Sequence, residues 1–292
     1  MDPQFAAQLS TALERLTQAT DTQEIRSLTA TLNKDFYSQP ACIPALTEIA
    51  TRAPAAYLRQ LAAVELRKRI LKQWSAVPAE FQGQIRQHLL DTVVQDPEAQ
   101  VRHALARIIS AVAQQDLPTN QWPNLLPFLF QLSTSADVGH RETGIYVLYT
   151  LFEVIADGDL SATQQLPQLF NLFGTSIADP DSRTVRVTTI EALGKVAEFI
   201  EPENVNDIKT FRELVPAMVR VLQDCLDHGD EVGASHGFDV FDTLLVLETP
   251  LLTKHFTELI QFFLAVGGNQ EYPDGIRSQG LSFITMAATF KR

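Results

Sequence analysis

The sequence is poor in the residues from which enzymes and secreted domains build sites. It has two cysteines, Cys42 and Cys225, in 292 residues. Two cannot make a disulfide framework or a four-ligand zinc site, and they point to reduced, buried thiols of the cytosol or nucleus. No apolar run reaches the ~18 residues that a membrane span requires. The opening stretch MDPQFAAQLSTALERLTQ lacks the basic and unbroken apolar regions of a secretory signal. Gly-rich phosphate loops are missing, and strand signals are nearly absent. Positive charge is also short: 23 Lys and Arg stand against 35 Asp and Glu, a net −12. That balance argues against nucleic acid, whose phosphates would repel it.

Three short motifs offer chemistry and none completes it. Gly233 to Gly237 reads GASHG, the spacing of a hydrolase nucleophile elbow, which needs a strand before it and a helix after it. A helix end and a turn precede it instead, so Ser235 is expected early in a helix, facing away from the core. Cys225, His228 and His236 make half a metal site without a second pair. Asp157-Gly158-Asp159 reads as a loop turn, because the bidentate Glu of a calcium loop does not follow. The expectation is no catalytic residue, no metal and no cofactor.

What the chain does have is a period. In NQWPNLLPFLFQLS, residues 120–133, two prolines interrupt an apolar run. Proline costs about 3 kcal/mol inside a helix and almost nothing in its first turn. A helix is therefore expected to start at Trp122 or Pro123, with Pro127 near its first turn. Pro44, Pro167 and Pro216 occupy the same setting, and the steps from Pro44 through Pro127 and Pro167 to Pro216 are 83, 40 and 49 residues. The doubled first step calls for a proline-free unit, which Gln87 supplies, and Thr257 continues the series. Two residues after each slot stand Leu46, Leu89, Leu129, Leu169, Met218 and Leu259; four after stand Glu48, Asp91, Gln131, Asn171, Arg220 and Gln261. These two sets lie on opposite faces of a helix, about 200° apart.

The intervening segments carry a second mark: Arg59, Arg102, Arg141, Arg186 and Arg277, with Gly233 filling the gap. Seven residues on come Leu66, Ile109, Leu148, Leu193, Val240 and Ile284, and in LRQLAAVELRKRILKQW Leu58, Ala62, Leu66, Ile70 and Trp74 form a core stripe. Asp96-Pro97 and Asp179-Pro180 supply turn chemistry before two of these helices. Each unit is thus a pair of helices, A then B, at the period of HEAT or armadillo repeats. The expected fold is an all-α HEAT-repeat solenoid, one arch over 1–292, with repeats near 3–52, 55–95, 97–135, 138–178, 182–228 and 231–266 and an unpaired A helix at 271–290. In that last helix Leu281, Phe283 and Ile284 would await a partner, so the chain is expected to be the N-terminal part of a longer solenoid. Charge is uneven along it: Arg52 to Lys72 carries a local +5 and Glu201 to Glu258 a local −8.

The irregular repeat length, the opening helix, RQLAAVELRKRILKQW and QWPNLLPFLFQL together resemble the importin-β (karyopherin-β) nuclear transport family. LRKRI stands where members often carry L-K-N-x-I. DVFDTLLVLETPLLTKHF is similar to the importin-4-like branch. The resemblance implies B helices that bind the small GTPase Ran in its GTP state, A helices that bind Phe-Gly repeats of nucleoporins, and basic cargo such as ribosomal proteins or histones. It implies a monomer shuttling between cytoplasm and nucleus, without nucleic-acid or membrane binding of its own. Carried onto the register, Glu48, Asp91, Gln131 and Asn171 are the expected Ran-facing positions; the alternative for each is a solvated face without a ligand. Five residues after the A mark, Phe238 is expected on an outer face, where with Ile190, Phe241 and Leu245 it would form a slot for a nucleoporin phenylalanine. The alternative there is packing between adjacent A helices. A second reading of the whole chain is a HEAT scaffold subunit of a phosphatase or chromosome-associated complex.

Overall fold

The computed structural model describes residues 3–152 and 166–290. The Asp157-Gly158-Asp159 turn and Lys291-Arg292 lie outside the described residues. Among the described residues every regular element is helical and there is no strand, which is the expected HEAT-type fold. The chain divides into two compact units, residues 1–125 and 126–292.

Unit 1 opens with α1 (Pro3–Gln18) and α2 (Thr22–Thr31), the latter running into a π-helical turn at Leu32–Phe36. Asp21 caps α2 by accepting from the Glu24 N–H at 2.9 Å, which satisfies one of the orphan donors of a helix start. Then follow α3 (Cys42–Arg52), α4 (Ala56–Gln73), α5 (Ala79–Gln95) and α6 (Ala99–Asp116). A helix α4 packs on α6 and B helix α3 on α5, while α3 packs on α4 and α5 on α6. The stripe Leu58, Ala62, Leu66, Ile70 and Trp74 is buried along its whole length.

Unit 2 holds α7 (Leu125–Ser133, beginning at the boundary), α8 (Val138–Phe152), α9 (Leu166–Ser176), α10 (Arg183–Ala197), α11 (Val205–Asp227), α12 (Glu231–Val246), α13 (Phe256–Gly268) and α14 (Asp274–Phe290). The A helices α8, α10, α12 and α14 pack in succession, α9 packs on α11, and α13 packs on α14. Ser182, Asn204 and Asp230 cap α10, α11 and α12 through their side-chain oxygens.

The slot register holds. Leu46, Leu89, Leu129, Leu169, Met218 and Leu259 are all buried, and of the six positions two residues further on, five are exposed and Glu48 is half-buried. The expected helix starts hold less well. The slot falls in the first turn of α3, α7, α9 and α13, but in the interior of α5 and α11. Trp122 and Pro123 precede α7 rather than start it; Trp122 is buried instead. Pro216 sits inside α11, where it cannot donate to the carbonyl of Arg212 four residues back. His255 takes up that carbonyl, its Nε2 lying 3.0 Å from Arg212 O.

The recurring arginine is a clamp on the loop that leads into its own A helix. Arg59 Nη1 donates to the carbonyls of Ala53 and Pro54 at 2.9 and 3.1 Å. Arg102 repeats this on Asp96 and Pro97, and Arg141 on Ser135 and Ala136. The other edge of the guanidinium reaches one repeat ahead. Arg59 grips Asp96 with two bonds of 2.7 and 3.0 Å, Arg141 grips Asp179 at 2.6 and 3.1 Å, and Arg186 reaches Asp224 at 2.9 Å. The Asp96 and Asp179 carboxylates in turn accept from the backbone of the next loop, at Glu98 in one case and at Asp181 and Ser182 in the other. Two-point pairs of this kind fix which turn faces which more than they add net stability. In α12, which lacks the arginine, Gly233 is needed for close approach: a Cβ there would lie 2.6 Å from Asp230 Oδ2 and 3.0 Å from Cys225 Sγ.

Candidate interaction surfaces

The four positions expected to face Ran lie on the sides of the B helices turned away from their buried stripes. Asp91 on α5, Gln131 on α7 and Asn171 on α9 are exposed. Asp91 accepts a bond from Gln87 Nε2 at 2.7 Å, a pair within one helix that leaves the carboxylate on the surface. Glu48 on α3 is half-buried. Glu48 and Asp91 belong to unit 1, Gln131 and Asn171 to unit 2.

The four residues expected to form a phenylalanine slot do not form an open one. Ile190, Phe238, Phe241 and Leu245 are each at most 2 % exposed. Phe263 of α13 lies 5.7 Å from Phe238 and 5.5 Å from Phe241, and Phe283 of α14 stacks on Phe263 at 4.0 Å. The protein's own rings occupy the space: packing between adjacent A helices, the alternative reading, describes Phe241 against Phe283 of α14, and the B helix α13 adds Phe263 between them. The error has a geometric cause. The arginine mark is the fourth residue of α10, whereas Gly233 is the third of α12. One residue is a rotation of about 100°, and it turns Phe238 from the outer face into the position of the buried Ile190. Phe283 likewise does not await a partner, since α13 already covers it; Leu281 is 47 % exposed.

An open groove does exist on the A helices of unit 2. Its cavity of about 300 Å³ is lined by Tyr149 of α8, by Glu191, Gly194, Lys195 and Glu198 on and just after α10, and by His236, Asp239, Val240 and Thr243 of α12. Close approach makes it: a Cβ on Gly194 would stand 3.1 Å from Val240 Cγ1. Its walls are mostly polar or charged, and His236 Nδ1 lies 3.1 Å from Glu191 Oε1. Beside it on α12, burial and the neighbouring Asp239 push the Asp242 carboxyl up to about 6. The sequence reading missed this groove because its lining, apart from Val240, lies at positions that the repeat register did not single out.

The basic stretch from Arg52 to Lys72 is partly spent inside the protein. Arg59 is held by Asp96, while Arg69 and Lys68 both pair with Glu65. Arg69 also lies over the Tyr37 ring, 3.9 Å from its centroid. Burial, with Glu65 beside it, raises the Tyr37 phenol well above its ordinary range, and burial pushes the Cys42 thiol up to about 11. Both cysteines are buried thiols.

Ser235 lies in the opening turns of α12, as expected, with no strand before it. It is half-buried rather than turned to solvent, and its hydroxyl donates to Gln279 Oε1 of α14 at 3.1 Å. His228 pairs with Asp224, not with Cys225. Among the described residues no cluster of His, Cys, Asp and Glu could hold a metal ion, and no helix is long and apolar enough to cross a membrane.

Residues 29–95 match the Importin-beta N-terminal domain, and residues 97–262 match the family described as IPO5-like, TPR repeats. The chain belongs to the importin-β family. That is a family of nuclear transport receptors rather than of enzymes. The probable importin subunit beta-4 of Schizosaccharomyces pombe is 36 % identical over 291 residues, which is 100 % of this chain and 27 % of that protein. Human importin-4 is 26 % identical over 271 residues, 93 % of this chain and 24 % of the relative. This importin chain therefore spans about a quarter of the length of the relatives it matches. Among solved structures, Kap121p bound to RanGTP superposes with a TM-score of 0.82 at 22 % identity, covering 99 % of this chain and 27 % of that one. Kap121p bound to Nup53p gives 0.76 at 22 % identity, with 97 % and 27 % covered. At that identity the likeness carries the fold and no residue-level contact.

Proposed function

We propose that this chain is the part of a nuclear import receptor that binds Ran-GTP through its B helices and nucleoporins through its A helices. The observation that carries the reading is the run of exposed polar B-helix positions, Asp91, Gln131 and Asn171, on a chain of the importin-β family. A fold shared with Kap121p, which has been solved with RanGTP and with Nup53p, supports it. Asp91 and the half-buried Glu48 offer carboxylates to basic groups of the GTPase; Gln131 and Asn171 offer amides that serve either polarity. Ran-GTP and cargo would exclude one another, a negative coupling that releases cargo in the nucleus. The net charge of −12 suits basic cargo by steering its approach. The receptor would shuttle between cytoplasm and nucleus. For nucleoporins, the groove between α10 and α12 replaces the closed phenylalanine cluster as the proposed contact, with Val240 and Tyr149 as its apolar parts.

The test is binding of the purified chain to Ran loaded with GTP and, separately, with GDP. Tight binding to the GTP form alone is expected. Asp91→Arg, an exposed change that leaves the fold intact, should weaken it about tenfold or more by charge reversal at the contact. Equal binding to both nucleotide forms would remove the Ran reading and bring the scaffold reading forward.

A further inference from the structure

The segment from Glu201 to Glu258 contains twelve acidic residues and four basic ones, Lys209, Arg212, Arg220 and Lys254. Three of those four bases line one cavity. It measures about 330 Å³ and is bounded by Val205, Ile208, Lys209 and Arg212 of α11 and by Lys254. None of its lining residues is acidic. In the most acidic stretch of the chain, the folding of α11 against the turn before α13 has gathered positive charge at one place.

The cavity is held in shape rather than left as a chance dent between mobile side chains. Arg212 Nη2 and Nε donate to the Pro250 carbonyl at 2.6 and 3.3 Å. From the other side, His255 reaches the Arg212 carbonyl that Pro216 leaves free. Lys254 sits in a 3-10 turn, Thr253–His255, that is fixed between these two contacts. Ile208 is buried, while Val205 is 73 % exposed at the first position of α11. Val205 therefore offers open aliphatic surface at the rim of the cavity, beside the buried Ile208.

We infer that this cavity docks a peptide segment of a partner protein in which a bulky apolar side chain is flanked by carboxylates. The apolar side chain would lie against Val205 and Ile208, and the carboxylates would meet Lys209, Lys254 and the unengaged edge of Arg212. The volume, near the bottom of the roughly 300–1,000 Å³ range of ligand clefts, suits one or two side chains rather than a folded surface. Such a partner is of opposite charge to the basic cargo proposed above. The two would be bound by different parts of the chain, and this inference does not rest on the Ran reading.

The probe is a fluorescein-labelled peptide, Asp-Glu-Phe-Leu-Asp-Glu, titrated with the whole chain and followed by anisotropy. The controls are the same peptide with Gly-Gly for Phe-Leu, and with Lys for every acid. Binding of the first peptide alone is expected. Lys209→Glu with Lys254→Glu should weaken it at least about tenfold, since close charges across an interface are worth that much. Val205→Asp should weaken it by a similar factor. All three side chains are exposed, so far-UV circular dichroism of the variants should match the parent. Unchanged affinity in both variants, or absence of binding, would overturn the proposal. Equal binding of the Gly-Gly peptide, or full competition by inorganic tripolyphosphate, would also overturn it by showing a plain anion site without an apolar anchor.

Discussion

Unit 1 and unit 2 solve the same packing problem with opposite chemistry. Where α4 and α6 end in unit 1, a buried polar network joins them to the middle of α5. Trp74 Nε1 donates to Asp116 Oδ1 at 2.9 Å, and Arg86 Nε donates to Asp116 Oδ2 at 2.8 Å. The Arg86 guanidinium lies 5.7 Å from the Trp74 ring and 6.0 Å from Trp122, so two indoles flank one cation. Where α12, α13 and α14 meet in unit 2, four phenylalanines do the work, with the 263–283 stack at 4.0 Å at the centre. A HEAT joint thus requires that the space between its helices be filled; it does not dictate whether rings or a polar network fill it. The two solutions differ in how they fail. An aromatic joint fails by losing volume, and a polar joint by stranding a charge.

The largest effect is expected at the aromatic joint. Phe263→Ala removes the ring that touches Phe238, Phe241 and Phe283 and leaves a cavity that rigid helices close poorly, at about 3–5 kcal/mol. The chain's tryptophans are Trp74 and Trp122, both in unit 1, so fluorescence reports that unit while far-UV circular dichroism reports both. In urea, Phe263→Ala should shift a dichroism transition and leave the fluorescence midpoint in place. A matching shift in fluorescence would show that the units unfold together and would blunt the contrast between them.

At the polar joint the measure is the difference between breaking a network and replacing it. Asp116→Ala leaves Arg86, whose side chain is 15 % exposed, without its carboxylate, and should cost about 3 kcal/mol. Arg86→Met in the same background removes the stranded charge and should recover a good part of that loss. The readout is the tryptophan fluorescence midpoint, in the opposite pattern to Phe263→Ala. Additive losses from the two substitutions would mean that Asp116 acts through Trp74 alone.

How far these joints could be read from the sequence follows from what sets them. The alternation of Leu46, Leu89, Leu129, Leu169, Met218 and Leu259 with polar residues two places on was legible because helix geometry fixes it whatever the neighbours do. The clamp was half legible: Arg59, Arg141 and Arg186 stood out by spacing, but Asp96, Asp179 and Asp224 acquire their role only when successive repeats meet. The failure at Phe238 came from a shift of one residue in where α12 begins relative to Gly233. A repeat average cannot detect such a shift, and it moves a side chain from surface to core. Pro216 misled in the same way, since α11 starts well before it and a histidine from a later turn answers the carbonyl it frees. The cavity beside Lys254 depends on that turn as well, which is why charge counting found an acidic segment and not the basic spot within it.

The smallest effect tests whether charge is tolerated at the aromatic joint at all. Asp242 neighbours Phe241, and its Oδ1 is buried with no hydrogen-bond partner among the described residues. Its carboxyl is raised to about 6 from an ordinary 3.8, by burial first and by Asp239 second. The folded state therefore holds a proton that the unfolded state releases between these two values. Stability is greatest below the ordinary pKa, falls as pH rises toward about 6, and is level above it. Asp179 and Asp224 behave in the opposite sense. Arg141 and backbone N–H groups outweigh burial at the first, Arg183 and Arg186 lower the second, and what they contribute is lost only in acid. Asp242→Asn should accordingly leave stability unchanged near pH 4 and raise the midpoint at pH 7, seen in dichroism and not in tryptophan fluorescence. A substitution that is neutral at both pH values would mean that water reaches Asp242, and that the aromatic joint accommodates a charge as readily as the network around Arg86 does.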